Sequence, residues 1–297
     1  MKRLIQRGLL LLLLFAILAQ ALSWIAFRSG FALRGLTGRE VYQALAEARR
    51  PSPAKIVLLG DSVGTQLYTF HGRPRDDIRV LCSNAAISMA GQYEVLLEAL
   101  RAGVLKDSEV ILVYHPDSFR FDIQDHFSFQ YFVKPFWLAK WRRDFSPAVA
   151  ERVRQIPWFF AVYSPTIRYG NWTPDWEGPA HPISKRGARF IRDISAEYLG
   201  KMYELSQREG FSLHVIPPLV CETWAADHLD TARFQAEIEG LGLQELFGRY
   251  VENIPLRPRD WYRDDDIIHL RASKVAELGD DPLHLLERYA NSRKGMP

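Results

Sequence analysis

Two stretches far apart in the chain carry the residue types of a nucleophilic site. Ser62 closes the triplet 60–62, directly after the apolar run 56–59. Near the other end of the chain, Asp266 and His269 stand three residues apart. On one helical turn or in a tight loop, Asp266 could bond one ring nitrogen of His269 and hold its tautomer. The other nitrogen would then take the proton of the Ser62 hydroxyl, so the pattern predicts a Ser-His-Asp set.

Each of these residues also has a simpler interpretation. Ser62 could serve only as the cap of a following helix, because serine and aspartate both favour that position. His269 could be a structural histidine in a polar loop, and Asp264 or Asp265 could orient it instead of Asp266. The position of Ser62 favours chemistry, because open α/β sheets place their ligands at the carboxyl ends of their strands.

These stretches resemble the sequence blocks of the SGNH (GDSL-type) hydrolase superfamily. Gly60-Asp61-Ser62 matches the first block of that family, and Asp266-x-x-His269 matches its last block. The stretch 82–91 resembles the second block, which reads Asn-Ala-Ser-Ile-Ser-Gly in some members. Met89 stands where those members have the glycine.

The third block departs further from the family pattern. The apolar run 110–114 is followed by His115-Pro116-Asp117-Ser118, where the family has Gly-x-Asn-Asp. Asp117 would be ionised at pH 7 and could only accept hydrogen bonds, so we expect it to be structural. The resemblance covers residues 55–118 and 211–275, and it implies a divergent branch.

The resemblance implies a three-layer α/β/α, flavodoxin-like fold with a central parallel sheet. It also implies that Ser62, Asp266 and His269 are catalytic and that backbone and side-chain donors form an oxyanion hole. The candidate donors are the backbone N–H groups of Ser62 and of the turn at Met89, and the side chains of Asn84 and His115.

Hydrophobic periodicity predicts the elements that must position these residues. The predicted strands are 56–59, 78–82, 110–114 and 212–216, with 250–254 as a candidate fifth strand. The predicted helices are 41–50, 92–102, 188–209, 231–246 and 272–289.

The N-terminus has the composition of a membrane segment. Lys2, Arg3 and Arg7 precede a mostly apolar run from Gly8 to Phe27, which as a helix would span roughly 30 Å. We expect residues 1–28 to be a single-pass anchor of the cell inner membrane, with the N-terminus in the cytoplasm. A cleaved signal peptide is the alternative, since Ala19-Gln20-Ala21 fits a cleavage site. Under both interpretations the rest of the chain lies on the periplasmic or extracytoplasmic side. The remaining alternative is a cytosolic protein in which the N-terminal helix is buried.

We expect the exported part to consist of a linker with a short helix, residues 29–54, and one hydrolase-like domain, residues 55–290. Within that domain the segment 119–187 is an insertion rich in aromatic and basic residues. Three interpretations are open for it: aromatic side chains that pack on the domain, a lid or groove that stacks sugar rings, or contact with the membrane surface.

Several function classes have no support in the sequence. A formal net charge of +3 and no basic tract interleaved with aromatics argue against nucleic acid as a partner. No zinc spacing or nucleotide-binding glycine pattern is present, so we expect no metal and no cofactor. Cys82 and Cys221 should be free thiols, because the ends of the second and fourth strands would lie roughly 14 Å apart.

Together these features predict a serine esterase or O-acyltransferase that works through an acyl-serine. We expect an acylated glycan or cell-envelope polymer as substrate, as in proteins of exopolysaccharide or envelope acylation. A membrane acyl-transfer protein is a candidate additional partner. The alternative is a non-catalytic, SGNH-like glycan-binding or assembly partner in polysaccharide export.

Overall fold

A four-stranded parallel sheet lies at the centre of the fold. The computed structural model describes residues 1–30, 35–68, 76–105, 108–125, 127–137, 143–155, 168–170, 188–279, 281–284 and 286. The strands are β1 (Ile56–Gly60), β2 (Ile78–Val80), β3 (Glu109–Val113) and β4 (Ser212–Ile216). Their order is β2-β1-β3-β4, with every neighbouring pair parallel. The predicted α/β class with a central parallel sheet is confirmed.

The two central strands are buried on both faces. In β1, Val57 and Leu59 belong to one hydrophobic cluster and Leu58 belongs to the other. In β3, Val110 and Leu112 alternate in the same way with Ile111. Successive side chains of a strand point to opposite faces, so both faces of this sheet need apolar cover. This is why the sequences of these strands are continuous apolar runs and do not alternate between apolar and polar residues.

Helices cover both faces of the sheet. On the face of Val57, the larger cluster takes in α2 (Arg39–Ala48), α4 (Ser88–Arg101) and the later helix Asp193–Glu209. On the face of Leu58, the second cluster takes in α3 (Ser62–Tyr68). The helix Asp193–Glu209 is α6, and further α-helices of the described residues are α5 (Pro147–Arg154), α7 (Glu222–His228), α8 (Thr231–Gly240), α9 (Gln244–Phe247) and α10 (Ala272–Leu278).

Short strands complete the C-terminal part of the chain. β5 (Val220–Cys221) pairs in parallel with β6 (Leu256–Arg257). β7 (Tyr262–Arg263) and β8 (Asp266–Leu270) form an antiparallel hairpin with an irregular register. The hairpin excludes the helical turn, one of the two expected alternatives, because Asp266 and His269 both lie on a strand.

Two predicted elements of this region are wrong. The stretch 250–254 forms turns instead of a fifth strand, and the Tyr250 hydroxyl donates to the Tyr114 carbonyl at 2.6 Å. The predicted helix 231–246 is divided into α8 and α9, because Gly242 has a φ of 70° that ends the first helix. The helix predicted over 272–289 ends first at Leu278, and residues 287–289 lie outside the described part.

Both cysteines are free, as predicted, and both are buried. Cys82 lies just after β2, and Cys221 lies in β5, which follows β4 in the chain. In the sheet, β1 and β3 separate β2 from β4. The Cys221 thiol instead lies 3.0 Å from the Thr223 hydroxyl.

The N-terminal helix α1 (Lys2–Arg28) is 27 residues long. By length and composition it could cross a membrane, with a mean hydropathy of 2.5 over its most apolar stretch. Its large apolar side chains are exposed from Leu4 to Ile25, whereas Phe27 is buried in the larger hydrophobic cluster. The apolar segment therefore points out of the domain and only its last turn is packed against it.

The aromatic segment contributes mainly to the core where it is described. Four of its phenylalanines are fully buried, namely Phe119, Phe129, Phe132 and Phe136. Phe127 is the exception, with an exposed fraction of 52%. Packing on the domain, the first of the three interpretations, thus accounts for the described aromatics. Residues 138–142, 156–167 and 171–187, which carry most of the tryptophans of the segment, lie outside the described residues.

At Gly60, at the end of β1, the backbone of β3 occupies the place where a side chain would begin. A Cβ atom at Gly60 would lie 2.2 Å from the Val113 carbonyl oxygen, and that oxygen also accepts the Asp61 N–H at 3.3 Å. A methyl group cannot be accommodated unless the two strand ends separate.

We predict that Gly60→Ala lowers the free energy of unfolding by roughly 1–3 kcal/mol, because the added carbon overpacks the strand ends. Gly200→Ala is the matched control: it lies in α6 with nothing within 4 Å of its Cβ position. That change should raise stability by up to about 1 kcal/mol through helix propensity. Thermal unfolding of both variants in detergent measures the effect, and equal midpoints would contradict the prediction.

Candidate functional site

Ser62 is the first residue of α3, immediately after β1. The helix is capped not by Ser62 but by Asp61, whose Oδ1 accepts the N–H groups of Val63 at 3.0 Å and Gly64 at 3.2 Å. The interpretation of Ser62 as a cap is therefore wrong. Its hydroxyl is available for another partner at the carboxyl end of a central strand.

That partner is His269. The Ser62 Oγ lies 2.7 Å from the His269 Nε2, although the two residues are 207 positions apart. The other ring nitrogen, Nδ1, is hydrogen-bonded to the Asp266 Oδ2. Because an ionised carboxylate can only accept, Nδ1 carries the ring proton and Nε2 accepts from the serine. The structure thus brings together all three residues of the predicted catalytic set in the order that a Ser-His-Asp triad requires.

A local turn makes this possible on a strand. Residues three apart on a regular strand point to opposite faces. Asp266 Oδ1 accepts the N–H groups of Ile268 at 2.8 Å and of His269 at 3.2 Å, which folds the chain back on the aspartate. This is the turn chemistry typical of aspartate, and it leaves Oδ2 free for the imidazole. Asp264 and Asp265, the alternative orienters, do not contact His269: Asp264 pairs with Arg271.

The same hydrogen bonds set the charge of Asp266. Burial alone would raise the pKa of this carboxyl. The hydrogen bond from His269, the backbone N–H groups and the charge of the ring outweigh that effect and lower the pKa to about 2. Asp266 is therefore an anion over the whole physiological range and holds His269 in one tautomer.

Gln66 joins the two halves of the site and was missed in the sequence. Its Nε2 donates to the Leu270 carbonyl at 2.7 Å, and its Oε1 accepts the Leu270 N–H at 2.9 Å. Gln66 lies one helical turn after Ser62, and Leu270 directly follows His269. The paired bonds therefore fix α3 against β8 next to the serine–histidine contact. The only indication of Gln66 in the sequence is that it stands four residues after Ser62, on the same side of a helix. This indication is weak, because any helical residue has such a neighbour.

Asp61 joins the ends of β1 and β3. Besides capping α3, it accepts the His115 N–H at 2.8 Å and the Ser118 hydroxyl at 2.6 Å, both with Oδ2. The carboxylate is fully buried, and four hydrogen bonds compensate its desolvation. The turn after β3 is thereby held beside Ser62.

His115 has an unused donor in this turn. Its Nδ1 accepts the Asp117 N–H at 3.1 Å. Burial lowers the pKa of His115 to about 4, despite the opposing charges of Asp117 and Asp61, so the ring is neutral at pH 7. A neutral ring that accepts at Nδ1 carries its proton on Nε2. That nitrogen is buried, and none of the described residues accepts from it. Buried polar groups normally have a partner, so this one requires an explanation.

The other two predicted donors lie after β2. The Asn84 side chain caps the short 3-10 helix Ala85–Ile87 by accepting the Ala86 N–H at 2.9 Å, which is the role of a turn residue. The Met89 side chain is buried in the core, so only its backbone could serve the site. The preceding Ser88 has φ 58° and ψ 172°, a conformation nearly restricted to glycine. Such strain is typical of functional turns, and it directs the peptide whose N–H belongs to Met89.

Glu40 is a further charged group near the site that the sequence analysis did not select. It lies in the first turn of α2. Burial raises the pKa of Glu40, and the charges of Arg39 and His269 partly oppose that effect. The Oε2 of Glu40 is buried and has no hydrogen-bond partner among the described residues. Within that part of the chain, no group of three or more His, Cys, Asp or Glu side chains could hold a metal ion.

We predict that Asp266 stabilises the fold at neutral pH and loses this effect in acid. Its pKa of about 2 lies below the roughly 3.9 of an unfolded aspartate, so the contribution is complete above pH 4 and decreases as the pH falls towards 2. The unfolding midpoint of the wild type should exceed that of Asp266→Asn at pH 7, and the difference should shrink below pH 4. Asp265→Asn, a change at the exposed neighbouring residue, should show no such pH-dependent difference.

No family model, curated protein or solved structure matches this chain. We therefore infer the function from the distances, hydrogen-bond partners and charges of the site itself.

Proposed function

We propose that this protein is an SGNH-type serine esterase or O-acyltransferase that works through an acyl-serine intermediate. The observation that carries the proposal is the 2.7 Å contact between the Ser62 hydroxyl and a His269 ring whose other nitrogen is bound by Asp266. A serine is a weak nucleophile until a neighbouring base accepts its proton, and this arrangement supplies that base in the required tautomer.

The first half-reaction forms the acyl-enzyme. Ser62 Oγ attacks the carbonyl carbon of an ester while its proton passes to His269 Nε2. The tetrahedral intermediate collapses, the bond from the carbonyl carbon to the alcohol oxygen breaks, and the alcohol leaves with the proton of Nε2. Asp266 stabilises the imidazolium that forms between these two steps and remains ionised throughout.

The second half-reaction releases the acyl group. His269 Nε2 takes a proton from a water molecule or a sugar hydroxyl, whose oxygen attacks the acyl carbon. The bond to Ser62 Oγ then breaks and the serine recovers the proton. Water as acceptor gives hydrolysis, and a hydroxyl gives transfer. The site residues are the same for both outcomes.

The negative oxygen of the tetrahedral intermediate needs donors that point at it. The backbone N–H groups of Ser62 and Met89 are the candidates that agree with the family pattern. His115 supplies a side-chain N–H at the third block, where this chain lacks the asparagine of the family. A donor that is neutral, buried and unpartnered in the resting protein suits a charge that forms only during the reaction.

The architecture around the site supports assignment to an SGNH-like, three-layer fold. The sheet is parallel, helices cover both faces, and Ser62 lies at the carboxyl end of an inner strand. The late Asp-x-x-His stretch reaches the serine from the other end of the chain. The absent glycine at Met89 and the absent asparagine after β3 are the reasons for proposing a divergent branch.

The location and the substrate class follow from α1. We propose that it anchors the protein in the inner membrane with Lys2, Arg3 and Arg7 in the cytoplasm and the domain in the periplasm. The substrate would be an acylated glycan or an envelope polymer, with a membrane acyl-transfer protein as a candidate donor. We do not favour a purely glycan-binding role, because the described aromatic side chains are mostly used in the core.

We predict that a fluorophosphonate labels the full-length protein in detergent at Ser62. Labelling should disappear in Ser62→Ala and slow by roughly 10³-fold or more in His269→Ala, because the base is lost. Asp266→Asn should slow it strongly and Asp265→Asn should leave the rate unchanged. Mass spectrometry of the labelled peptide locates the site. A folded wild type that is not labelled would contradict the proposal and favour a binding role.

We predict a separate effect of His115 on the reaction. His115→Leu should lower kcat for a model ester by roughly 10- to 1000-fold with little change in KM, because a transition-state donor is lost. His115→Gln keeps an N–H donor and should recover part of the rate. If both variants match the wild type in kcat while folding normally, His115 is only structural.

A further inference from the structure

The last turn of the apolar helix is part of the domain. Phe27 is only 3% exposed, and its ring centroid lies 4.5 Å from that of Tyr42 and 6.0 Å from that of Tyr169. Tyr42 and Tyr169 also contact each other, and the Tyr169 carbonyl accepts the N–H of Gly38 at 2.9 Å. The helix is therefore docked against the start of α2 rather than joined to the domain only by a tether.

The start of α2 lies at the same edge of the sheet as the catalytic residues. α2 packs along α4, whose first residue, Ser88, follows the carboxyl end of β2 at the site edge. Burial raises the pKa of Glu40, and the charge of His269 partly opposes that effect. The far end of α2 lies at the opposite edge. Arg49 pairs there with Glu98, near the end of α4, and the chain then enters the amino end of β1. The helix thus runs from the site edge to the other edge, and α1 meets it at the site edge.

The last turn of α1 therefore lies at the edge of the sheet that carries Ser62 and His269. Phe27 packs on Tyr42, and Tyr42 is only two residues from Glu40 in the first turn of α2. The interfacial layer of a bilayer is several ångströms deep beyond the hydrocarbon. A group at the membrane surface can therefore come close to Ser62.

Exposed aromatic and cationic side chains suit the same orientation. Trp24 is 44% exposed near the end of α1, with the Arg28 guanidinium 5.8 Å from its ring centroid. Tryptophan and arginine in this position are typical of a membrane interface. Phe127, the exposed aromatic among the described residues of the insertion, precedes the π-helix Phe129–Val133. That π-helix packs against the 3-10 helix Ala85–Ile87 at the site edge.

We propose that the sheet edge carrying Ser62 faces the membrane surface, and that the ester from which Ser62 takes its acyl group is carried by a lipid in that membrane. The orientation stands independently of the catalytic assignment, whereas the lipid ester depends on the proposed function. In the reaction, Ser62 Oγ forms a bond to the acyl carbon and the lipid oxygen leaves with the proton held by His269 Nε2.

The orientation is tested with fluorophores on the full-length protein in lipid nanodiscs. Asp265→Cys places a label beside the catalytic aspartate, and Gln207→Cys places one on α6 near the amino end of β4, at the opposite edge. Both positions are exposed, and the two native cysteines are buried. Lipids with a nitroxide headgroup should quench the label at 265 several-fold more than the label at 207. Equal or reversed quenching would overturn the orientation.

The lipid substrate is tested with two fluorophosphonates on the same nanodiscs: a long-chain alkyl probe that partitions into the bilayer and a charged, water-soluble probe. A flexible Gly/Ser insertion after Gly30 lengthens the connection but keeps Phe27 docked, and the same insertion with Phe27→Ala releases the domain. We expect the docked protein to prefer the alkyl probe at least tenfold, because the membrane concentrates it beside Ser62. The released variant should lose most of that preference.

The rate with the water-soluble probe should be equal in all variants, which shows that the site remains folded. If the wild type does not prefer the alkyl probe, or if the released variant keeps the full preference, the lipid is not the substrate. Either result would favour an acyl donor from solution or from a membrane protein. No labelling by either probe in any variant would instead contradict the catalytic assignment. The quenching result would still decide the orientation.

Discussion

The buried carboxylate of Asp61 is the interaction on which the site depends. A carboxylate without solvent is costly unless each oxygen is bonded. Here one oxygen caps α3 and the other holds the turn after β3 through the His115 N–H and the Ser118 hydroxyl. Since Asp61 caps the helix, the Ser62 hydroxyl is left for His269. The close approach of Gly60 to Val113 brings the two strand ends near enough for one side chain to bond both.

The second constraint is the attachment of the C-terminal hairpin to α3. Ser62 and His269 are 207 residues apart, so their contact requires that β8 be fixed against the helix by other means. Gln66 provides this with two hydrogen bonds to the backbone of Leu270. Asp266 then orients the ring from within its own turn. The proposed catalytic set thus consists of one group on α3 and two on a hairpin, and Gln66 holds these two elements together.

The N-terminal helix and the site share a structural connection. Phe27 packs on Tyr42 of α2, and α2 runs along α4 from the edge of the sheet that carries Ser62. The apolar helix and the proposed site therefore meet at one edge of the sheet. If α1 crosses a membrane, as we propose, this docking gives the domain a fixed orientation towards the bilayer, in contrast to a domain on a flexible tether, which can turn freely.

The sequence alone determined the elements whose signals are local. Short apolar runs identified all four strands of the main sheet, the long apolar run identified α1, and residue types identified Ser62, Asp266 and His269 as the group able to do chemistry. Only the tertiary structure decided that Asp61 and not Ser62 caps α3, that Asp266 and His269 share a strand, and that Gln66 bonds the backbone of Leu270 beside them. The physical reason is that propensity and periodicity act within a few residues, whereas these contacts join segments up to about two hundred residues apart. The turn at 250–254 was missed for the same reason, because the buried Tyr250 is held by the carbonyl of Tyr114 in a distant segment. The division of the helix at Gly242 has a local cause, the positive φ of that glycine, which hydrophobic periodicity does not reveal.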